Sequence, residues 1–552
     1  NGNPYLTIYD SPEKCIPLVN FGPSWSSRFG GDTATRASMV YALYRLQTQR
    51  DYGKDYANLF DYSLDANLGG PLITDTRLFM AVHTENNWPI LPTPEPDTKR
   101  QFMGNLVYDF GGGRNLRLSG AFSKGDNHVL TQRTRIGWYN WVWDRVLGVT
   151  RITDENVQLG LRYTQAFNQS TFMEIKLNTL QTTSVEGSPV TDPAYLDLPG
   201  TPPPAWIEWN GDVDGFSYGA LYGNFSTEKT QTMSLDASVT SQVTSSHMLL
   251  AGFQGNSYNI NVDELNSVAA KSGGSFSKYS AHPYEGALYV QDKMEYEGMI
   301  ANVGVRLDVY NANVMYYRDI FAPYLYTDSL GISRADYRYA PRVKTPVIAR
   351  VQPRAGISFP VSTDTVFHVN YGTFLQRPPF SRILSQTINR KELYNNGTAL
   401  TVTGTLGNPR LRPEVTNSYD VGVTQALAEG FTLDISGYYK DVRDLLQQAI
   451  YNASKEKGGG SYVTYMNRDY ADIRGFRVGI AKRRGILTGM LNYTYGVATG
   501  KNSSADGNQI PTINEDRESD DPTPQDIFLD FDRTHNLIMN MGINIPKDWG
   551  PE

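Results

Sequence analysis

Strict alternation of apolar and polar residues runs through residues 302–310. The apolar members Val303, Val305, Leu307 and Val309 are separated by glycine, arginine and aspartate. A period of two gives a β-strand one apolar face and one polar face. The pattern therefore predicts a strand with a wholly apolar side.

This strand belongs to a predicted hairpin. Residues 286–296 lead into a tight turn at Glu297-Gly298, so we expect two antiparallel strands of about ten residues each. Strands of soluble sandwiches usually have about five or six residues, whereas a tilted strand needs about nine to eleven to cross a bilayer. The hairpin therefore indicates strands that cross a membrane.

The same rhythm recurs from Tyr62 to near the end of the chain. Short turns are predicted at 111–113, 244–246, 297–298, 428–430 and 483–485. The connections between hairpins are longer, at about 126–154, 183–228, 256–283, 313–354, 375–417, 442–471 and 499–533. Short turns at one end and long loops at the other are typical of bacterial outer-membrane barrels, and so many long loops are uncommon in soluble domains.

The pattern predicts an all-β fold, a large antiparallel transmembrane β-barrel of about 17 strands with short periplasmic turns and long extracellular loops. Such barrels normally close with an even number of strands, so further strands are expected outside this chain. We assign residues 1–60 to an extracellular loop region with a short helix within 33–49, residues 61–546 to the barrel, and residues 547–552 to a turn.

Composition agrees with strands surrounded by outer-membrane lipids. The 552 residues include 36 Tyr, 22 Phe, 8 Trp and 50 Gly, which suits strands that end at an interface. No run of about 18 apolar residues exists, which excludes a helical membrane protein. The net charge of −7 gives no support to a nucleic-acid partner. Cys15 is the only cysteine, so it forms no internal disulfide and is interpreted as a loop residue.

Several motifs resemble those of TonB-dependent outer-membrane transporters, in particular the group with a carboxypeptidase-regulatory-like leader domain. In chain order the motifs are FDYSL (60–64), LGGPL (68–72), YVQDK (289–293), VRLD (305–308), PRAGISFP (353–360), NYG (370–372), GNPRLRPE (407–414) and FDRTHNL (531–537). The resemblance covers residues 60–546 and rests on the order of the motifs, because no single motif is specific.

The resemblance implies a 22-strand barrel that encloses a plug, together with a box that contacts the inner-membrane TonB energy complex. No plug element matches this sequence, so the plug and the terminal strands are expected outside the chain. The implied function is capture of a scarce solute at the extracellular loops and its import through the barrel by energy-coupled plug movement. The implied location is the cell outer membrane.

Two alternative functions stay open. A barrel can serve as an outer-membrane platform that docks a surface lipoprotein or a secretion partner, or it can act as a passive porin. A plug with a TonB box distinguishes a transporter from a porin, whereas a stoichiometric partner over the loops favours the platform.

The sequence contains no visible enzyme motif. The GGG at 111–113 lacks the Lys-Ser/Thr pair of a phosphate loop and is interpreted as a hairpin turn. The six histidines have no metal-ligand spacing; they are His83, His128, His247, His282, His368 and His535. We therefore predict no catalytic residues, no resident cofactor and no enzymatic activity, and a surface enzyme is the least favoured class.

Two long loops contain residues of a candidate ligand-binding site for sugars or peptides, because flat aromatic rings stack on apolar ligand faces. These residues are Trp138, Tyr139, Trp141, Trp143, Trp206, Trp209, Asp212 and Asp214. The alternative is that the rings pack loops together or contact a partner protein.

A third loop carries an acidic run whose carboxylates can chelate calcium. The run comprises Glu515, Asp516, Glu518, Asp520 and Asp521. It lacks the spacing of a calcium loop motif, and such runs are more often solvated acidic loops.

Polar residues within the predicted strands are expected to face the barrel lumen. There they hydrate the interior, hold a plug through hydrogen bonds and ion pairs, or contact substrate; they are Arg162, Asp236, Arg306, Asp308 and Asp434. The tyrosines expected on the lipid face are Tyr163, Tyr371, Tyr419, Tyr493 and Tyr495.

The first four residues, Asn-Gly-Asn-Pro, have neither the basic nor the apolar region of a signal peptide. An exported protein needs such a signal, so we expect this chain to be a fragment or a processed product. Intact mass and terminal peptide mapping of the protein from outer membranes should show a mass well above that of this chain. A mass equal to that of this chain would contradict the 22-strand barrel and favour a porin or a platform.

Overall fold

One large sheet dominates the computed structural model. The structure describes residues 60–88, 96–129, 150–187, 225–266, 275–323, 325–335, 339–385, 387–389, 405–457, 461–501, 510–520 and 526–544. The helix predicted within 33–49 and the turn predicted at 547–552 lie outside these ranges.

The described residues form 26 strands. They are β1 (Tyr62–Ile73), β2 (Thr76–Asn87), β3 (Asp97–Gly111), β4 (Arg114–Val129), β5 (Thr150–Ala166), β6 (Thr171–Gly187), β7 (Phe225–Gln242), β8 (His247–Asn266), β9 (Ser275–Ala281), β10 (Tyr284–Tyr296), β11 (Met299–Asn311), β12 (Met315–Tyr317), β13 (Leu325–Thr327), β14 (Ser333–Ala335), β15 (Arg342–Lys344), β16 (Ile348–Pro360), β17 (Thr365–Gln376), β18 (Thr387–Asn389), β19 (Thr405–Leu406), β20 (Glu414–Ala426), β21 (Phe431–Asn452), β22 (Ser461–Lys482), β23 (Leu487–Gly500), β24 (Thr512–Asn514), β25 (Ile527–Phe528) and β26 (His535–Ile543).

Long strands follow one another in an antiparallel meander. Within the described ranges, 17 strands have nine or more residues: β1 to β8, β10, β11, β16, β17, β20, β21, β22, β23 and β26. Each of them pairs with the next member of this series. Five short strands, β9, β18, β19, β24 and β25, bring the sheet to 22 members. The predicted all-β fold and its number of long strands are confirmed.

The hairpin of β10 and β11 shows how the sequence determines the register. Val305 is paired with Val290 and Leu307 with Leu288, while Arg306 lies opposite Tyr289 on the other face. Gly298 closes the turn with a φ of 82°, a conformation that glycine adopts without the steric penalty of a side chain. The alternation predicted from the sequence is therefore the observed one.

The apolar face of the sheet is open to its surroundings. Leu288 and Val305 are 58% and 43% exposed, and Phe102 is paired with Phe122 on the same kind of face in β3 and β4. A contiguous apolar surface of this extent is unfavourable in water but stable against lipid chains. The lipid bilayer is thus the solvent that suits this face.

The two longest strands, β21 and β22, have 22 residues each and occupy most of the loop predicted at 442–471. Only residues 453–460 connect them, so this predicted loop is mostly wrong. The cause is a β-bulge: the register shifts between Val442 and Leu445, and Asp444 has a φ of 60°. A bulge inserts an extra residue and ends the period of two, which hides the strand from a periodicity argument.

Helical structure is limited to short segments among the described residues. The α-helix α1 spans Phe380–Leu384, and two 3-10 turns span Ala428–Gly430 and Lys455–Lys457. None of the described helices is long and apolar enough to cross a membrane. The segment that contains α1 is important because it lies against the polar face of the sheet.

An arginine on the apolar face should destabilise the protein in a bilayer. Val305 is at the centre of β11, so Val305→Arg should lower the free energy of unfolding by about 2–4 kcal/mol, measured by urea titration in liposomes. Gln291→Arg, in the same hairpin but on the polar face, is the matched control and should change it by less than about 0.5 kcal/mol. Equal losses in the two variants would contradict the assignment of the faces.

Candidate functional site

Five charged residues expected to face the lumen lie on one face of the sheet. The strand register places Arg162, Asp236, Arg306, Asp308 and Asp434 on the side opposite the apolar belt. We call this side the polar face. Its identity as the lumen wall stays a prediction.

Arg306 and Asp308 form the most connected ion pair on the polar face. Arg306 Nε is 3.0 Å from both carboxylate oxygens of Asp308, and its Nη1 donates to Gln254 Oε1 at 2.7 Å. Gln352, which is almost fully buried, donates its amide hydrogen to Asp308. The charges of this pair are therefore neutralised within the wall.

Arg377 follows β17 and anchors a second cluster near the loop end of the strands. Its Nε donates to Glu285 Oε2 at 3.3 Å, and its guanidinium carbon is 3.7 Å from the centroid of the Phe380 ring. Glu285 also accepts a hydrogen bond from the Tyr258 hydroxyl at 2.5 Å. Tyr310 lies beneath Arg377 and is only 7% exposed; its hydroxyl has no hydrogen-bond partner among the described residues.

The segment after Arg377 crosses the polar face and reaches distant strands. On one side the Phe380 ring is 4.9 Å from the Tyr258 ring of β8. On the other side Arg382 stacks on Tyr465 of β22 at 4.7 Å and donates to its hydroxyl. Ile383 is buried in one cluster with Tyr465, and Tyr258 and Phe380 pack against this cluster. We call residues 377–385 and 405–413 the inward segment.

Two adjoining cavities lie along the polar face. The upper cavity, of about 450 Å³, is lined by Arg306, Arg350, Arg377, Asp236, Asp308 and Glu285, among others. The lower cavity, of about 360 Å³, is lined by Arg306, Arg354, Gln291, Asn302, Gly304 and Asn370, among others. Arg306 belongs to both linings, so the two cavities form one polar groove that runs from the loop end towards the middle of the strands.

Three loops are joined by a cluster that we call the loop clasp, formed by Asp319, Lys457 and Glu515. Lys457 Nζ donates to Asp319 Oδ2 at 2.5 Å and also to Glu515 Oε1. Glu515 Oε2 accepts from the Ser454 N–H at 3.0 Å. These residues lie in the connections before β16, between β21 and β22, and after β24, so one ammonium group links three separate stretches of chain.

The loop clasp shifts the pKa of each of its members. Partial burial raises the pKa of Asp319, but hydrogen bonds from Lys457 and the Phe321 N–H outweigh it and the net pKa is lowered. The bonds from Lys457 and Ser454 lower the pKa of Glu515, and the bonds to Asp319 and Glu515 raise the pKa of Lys457. All three groups are thus held in their charged forms at neutral pH.

The acidic run predicted to bind calcium is partly used in loop contacts. Glu515 belongs to the loop clasp, Asp516 Oδ2 accepts from the Lys455 N–H at 3.3 Å, and Asp520 pairs through its backbone with Thr512. Glu518 lies on the same loop, and Asp521 is outside the described residues. The described part of the chain contains no group of three side chains arranged to hold a metal. The calcium site stays a prediction.

The aromatic ligand-binding prediction falls on parts of the chain that the structure does not describe. Residues 130–149 contain Trp138, Tyr139, Trp141 and Trp143, and residues 188–224 contain Trp206, Trp209, Asp212 and Asp214. That site also stays a prediction.

Sequence reasoning predicted Arg306 on the polar face but missed the other three arginines of the groove, Arg350, Arg354 and Arg377. Arg350, Gln352 and Arg354 alternate with Val351 and Pro353 in β16, which is the signal that would place their side chains on the polar face. Arg377 carries no such signal, because it lies just beyond the end of β17. Its partner Glu285 is 92 residues away in the sequence, so only the fold brings the two together.

The comparison with protein families identifies the barrel. Residues 95–519 match the family model described as TonB dependent receptor-like, beta-barrel. Because this match covers more than half of the chain, the protein belongs to the TonB-dependent receptor family, and it is an outer-membrane protein. The predicted family and location are confirmed, while the leader domain stays a prediction.

Solved structures share this fold at low sequence identity. The outer membrane transporter YddB from Escherichia coli has a TM-score of 0.56 at 10% identity, over 90% of this chain and 64% of that one. The Serratia marcescens hemophore receptor HasR, in complex with its hemophore HasA and heme, has a TM-score of 0.51 at 13% identity, over 79% and 63%. The chain therefore spans less than two thirds of either. A search of curated proteins found no match.

The loop clasp should open at both extremes of pH. The lowered carboxyl pKa values mean that its stabilisation is present above the ordinary values of 3.8 and 4.5 and is lost as the pH falls below them. The raised pKa of Lys457 means that it is present below 10.5 and is lost as the pH rises above that value. The protection factors of the three loops, which compare their hydrogen exchange with the intrinsic rate at the same pH, should therefore be largest between about pH 5 and 10.

Lys457→Met should lower the protection factors of these loops several-fold at pH 7. It should also remove most of the further loss of protection that acid causes. Lys455→Gln, which leaves the Asp319–Lys457–Glu515 contacts in place, is the matched control and should behave like the unmodified protein. An unchanged exchange profile in Lys457→Met would contradict the role of the clasp.

Proposed function

We propose that this chain forms the barrel of a TonB-dependent transporter that binds a scarce solute at its extracellular side and imports it by energy-coupled movement of a plug. The observation that carries this proposal is the polar groove. Its two cavities lie on the polar face of a sheet whose other face suits lipid. A polar interior and an apolar exterior are what passage of a hydrophilic solute through a bilayer requires.

The inward segment favours regulated import over free diffusion. Its α-helix and its contacts with Tyr258 and Tyr465 extend across the polar face near the loop end. A passive porin needs a continuous aqueous channel, whereas a receptor needs surfaces that contact the solute. The platform alternative has no specific support in the described residues.

The partners follow from the family and stay part of the proposal. The inner-membrane TonB complex is the expected source of energy, and a surface lipoprotein is a candidate partner at the loops. HasR was solved in complex with a hemophore, so a structurally similar receptor can bind a protein. We also propose that the protein is not an enzyme, in agreement with its family.

Energy-dependent uptake tests the proposal even while the solute is unidentified. Cells with and without the intact protein are grown in medium of known composition, and solute depletion is followed by mass spectrometry. We expect at least one solute to be depleted only when the protein is present, and a protonophore or loss of TonB to stop its depletion. Depletion that continues without energy coupling would favour a porin, and no difference between the strains would favour a platform.

A further inference from the structure

We propose that Arg350 and Arg354 bind the acidic groups of the imported solute, which is therefore an anion that carries carboxylate or phosphate groups. This inference rests on the proposed function, since it names the chemical class of the solute. The two residues are four positions apart on β16, an even spacing, so both side chains lie on the polar face. At about 3.3 Å per residue their Cα atoms are roughly 13 Å apart along the strand.

The two arginines belong to consecutive parts of the groove. Arg350 lines the upper cavity and Arg354 lines the lower cavity, while Arg306 lines both. Both side chains are exposed on the polar face. An anion that enters from the loop end therefore meets Arg350 first and Arg354 second.

Within the described residues these two arginines differ from their neighbours in the pairing of their charges. Arg306 is paired with Asp308, and Arg377 is paired with Glu285. Among the described residues, neither Arg350 nor Arg354 forms an ion pair or a hydrogen bond through its guanidinium group. A guanidinium offers five N–H donors and binds carboxylates and phosphates through two parallel hydrogen bonds.

Nearby carboxylates do not cancel these two charges. Asp308 lies opposite Arg350 in the register, but its oxygens already accept from Arg306 and Gln352. Asp236 lines the same upper cavity as Arg350, but it lies on β7, which is four strands from β16, or about 19 Å along the sheet. Asp420 lies on β20, two strands away from Arg354, and accepts a hydrogen bond from the Asn370 amide at 3.5 Å. Two of the three carboxylates that line the upper cavity are therefore paired with other arginines, and Arg350 and Arg354 carry the unpaired positive charges of β16.

The sheet holds Arg354 in a defined position. Its guanidinium carbon is 4.7 Å from the centroid of the Phe374 ring. That ring covers Gly372, where a Cβ atom would be only 2.9 Å from the ring atom Cε2. Glycine at 372 thus lets Phe374 form a platform for Arg354. A stacked arginine keeps its hydrogen-bonding edge free, which prepares it for an anion at a smaller entropic cost.

Direct binding of small anions tests the proposal. The full-length receptor in detergent is titrated calorimetrically with citrate and with pyrophosphate, and sucrose serves as the neutral comparison. We expect the anions to bind and sucrose not to bind, with an affinity that falls as salt is added. Arg350→Gln and Arg354→Gln should each weaken binding about tenfold, and the double variant should weaken it more.

The matched control is Arg474→Gln, which removes the same charge from the opposite face of the sheet. It should leave anion binding unchanged. Equal weakening in all variants would mean that the overall charge, rather than the groove, attracts the anion. Absence of binding by both probes would overturn the proposal.

Labelling with phenylglyoxal distinguishes a solute site from a contact within the longer protein. In the full-length receptor, Arg350 and Arg354 should be modified and citrate should protect them, whereas Arg474 should be modified at the same rate with and without citrate. If the two groove arginines are already protected without citrate, another part of the protein occupies them and the solute assignment is wrong. Modification that citrate does not slow would also overturn it.

These measurements can overturn the anion site without overturning the proposed function. Binding and labelling use purified protein without an energy source, whereas the uptake experiment depends on energy coupling. Energy-dependent depletion of a neutral solute would support the transporter and overturn the anion site. Anion binding without energy-dependent depletion of any solute would support the anion site and overturn the transporter.

Discussion

The structure depends on one constraint, which is that every long strand must keep its apolar residues on the lipid side. A shift of one residue in the pairing of β10 and β11 would move Arg306 and Asp308 into the lipid and Val305 onto the polar face. An arginine in the middle of a bilayer costs about 2–4 kcal/mol. Because each long strand between β1 and β26 pairs with two neighbours, such a shift would propagate, so the bilayer fixes the register of the whole meander.

The polar face is free of this constraint, and it accepts residues of more types than the apolar face does. Its residues need only be hydrated or hydrogen-bonded, so glycines, amides and charged groups follow one another there. Gly372 leaves room for the Phe374 ring, and the inward segment places α1 across the polar face while the strands keep their pairing. The bulge at Asp444 shows the same freedom further along the chain, where β21 and β22 continue beyond the length that a membrane crossing requires.

The fold could be predicted from the sequence because its cause is local, whereas the contacts of the candidate site join residues that are far apart. In residues 302–310 the lipid-facing side chains occur at every second position, and this period is visible in the strand by itself. The extension of β21 past Val442 could not be predicted, since a bulge ends the period. Lys457 is 138 residues from Asp319, and periodicity gives the face on which a side chain lies but not its neighbour from another strand. Composition likewise identifies the acidic run, but it does not show that Glu515 accepts a hydrogen bond from a lysine of another loop.

Paired and unpaired charged side chains have different roles on the polar face. Charges that are neutralised within the wall, such as Arg306 with Asp308, keep their geometry with or without a ligand, so they contribute to the shape of the groove. A charge without a partner attracts counterions from its surroundings and exchanges them for a better ligand when one arrives. Arg350 and Arg354 are of this second kind, and they lie four residues apart on one strand that the bilayer holds in place. A rigid frame with two free cations selects ligands by charge and by the spacing of their acidic groups, which is a selectivity that flexible loops alone would provide less well.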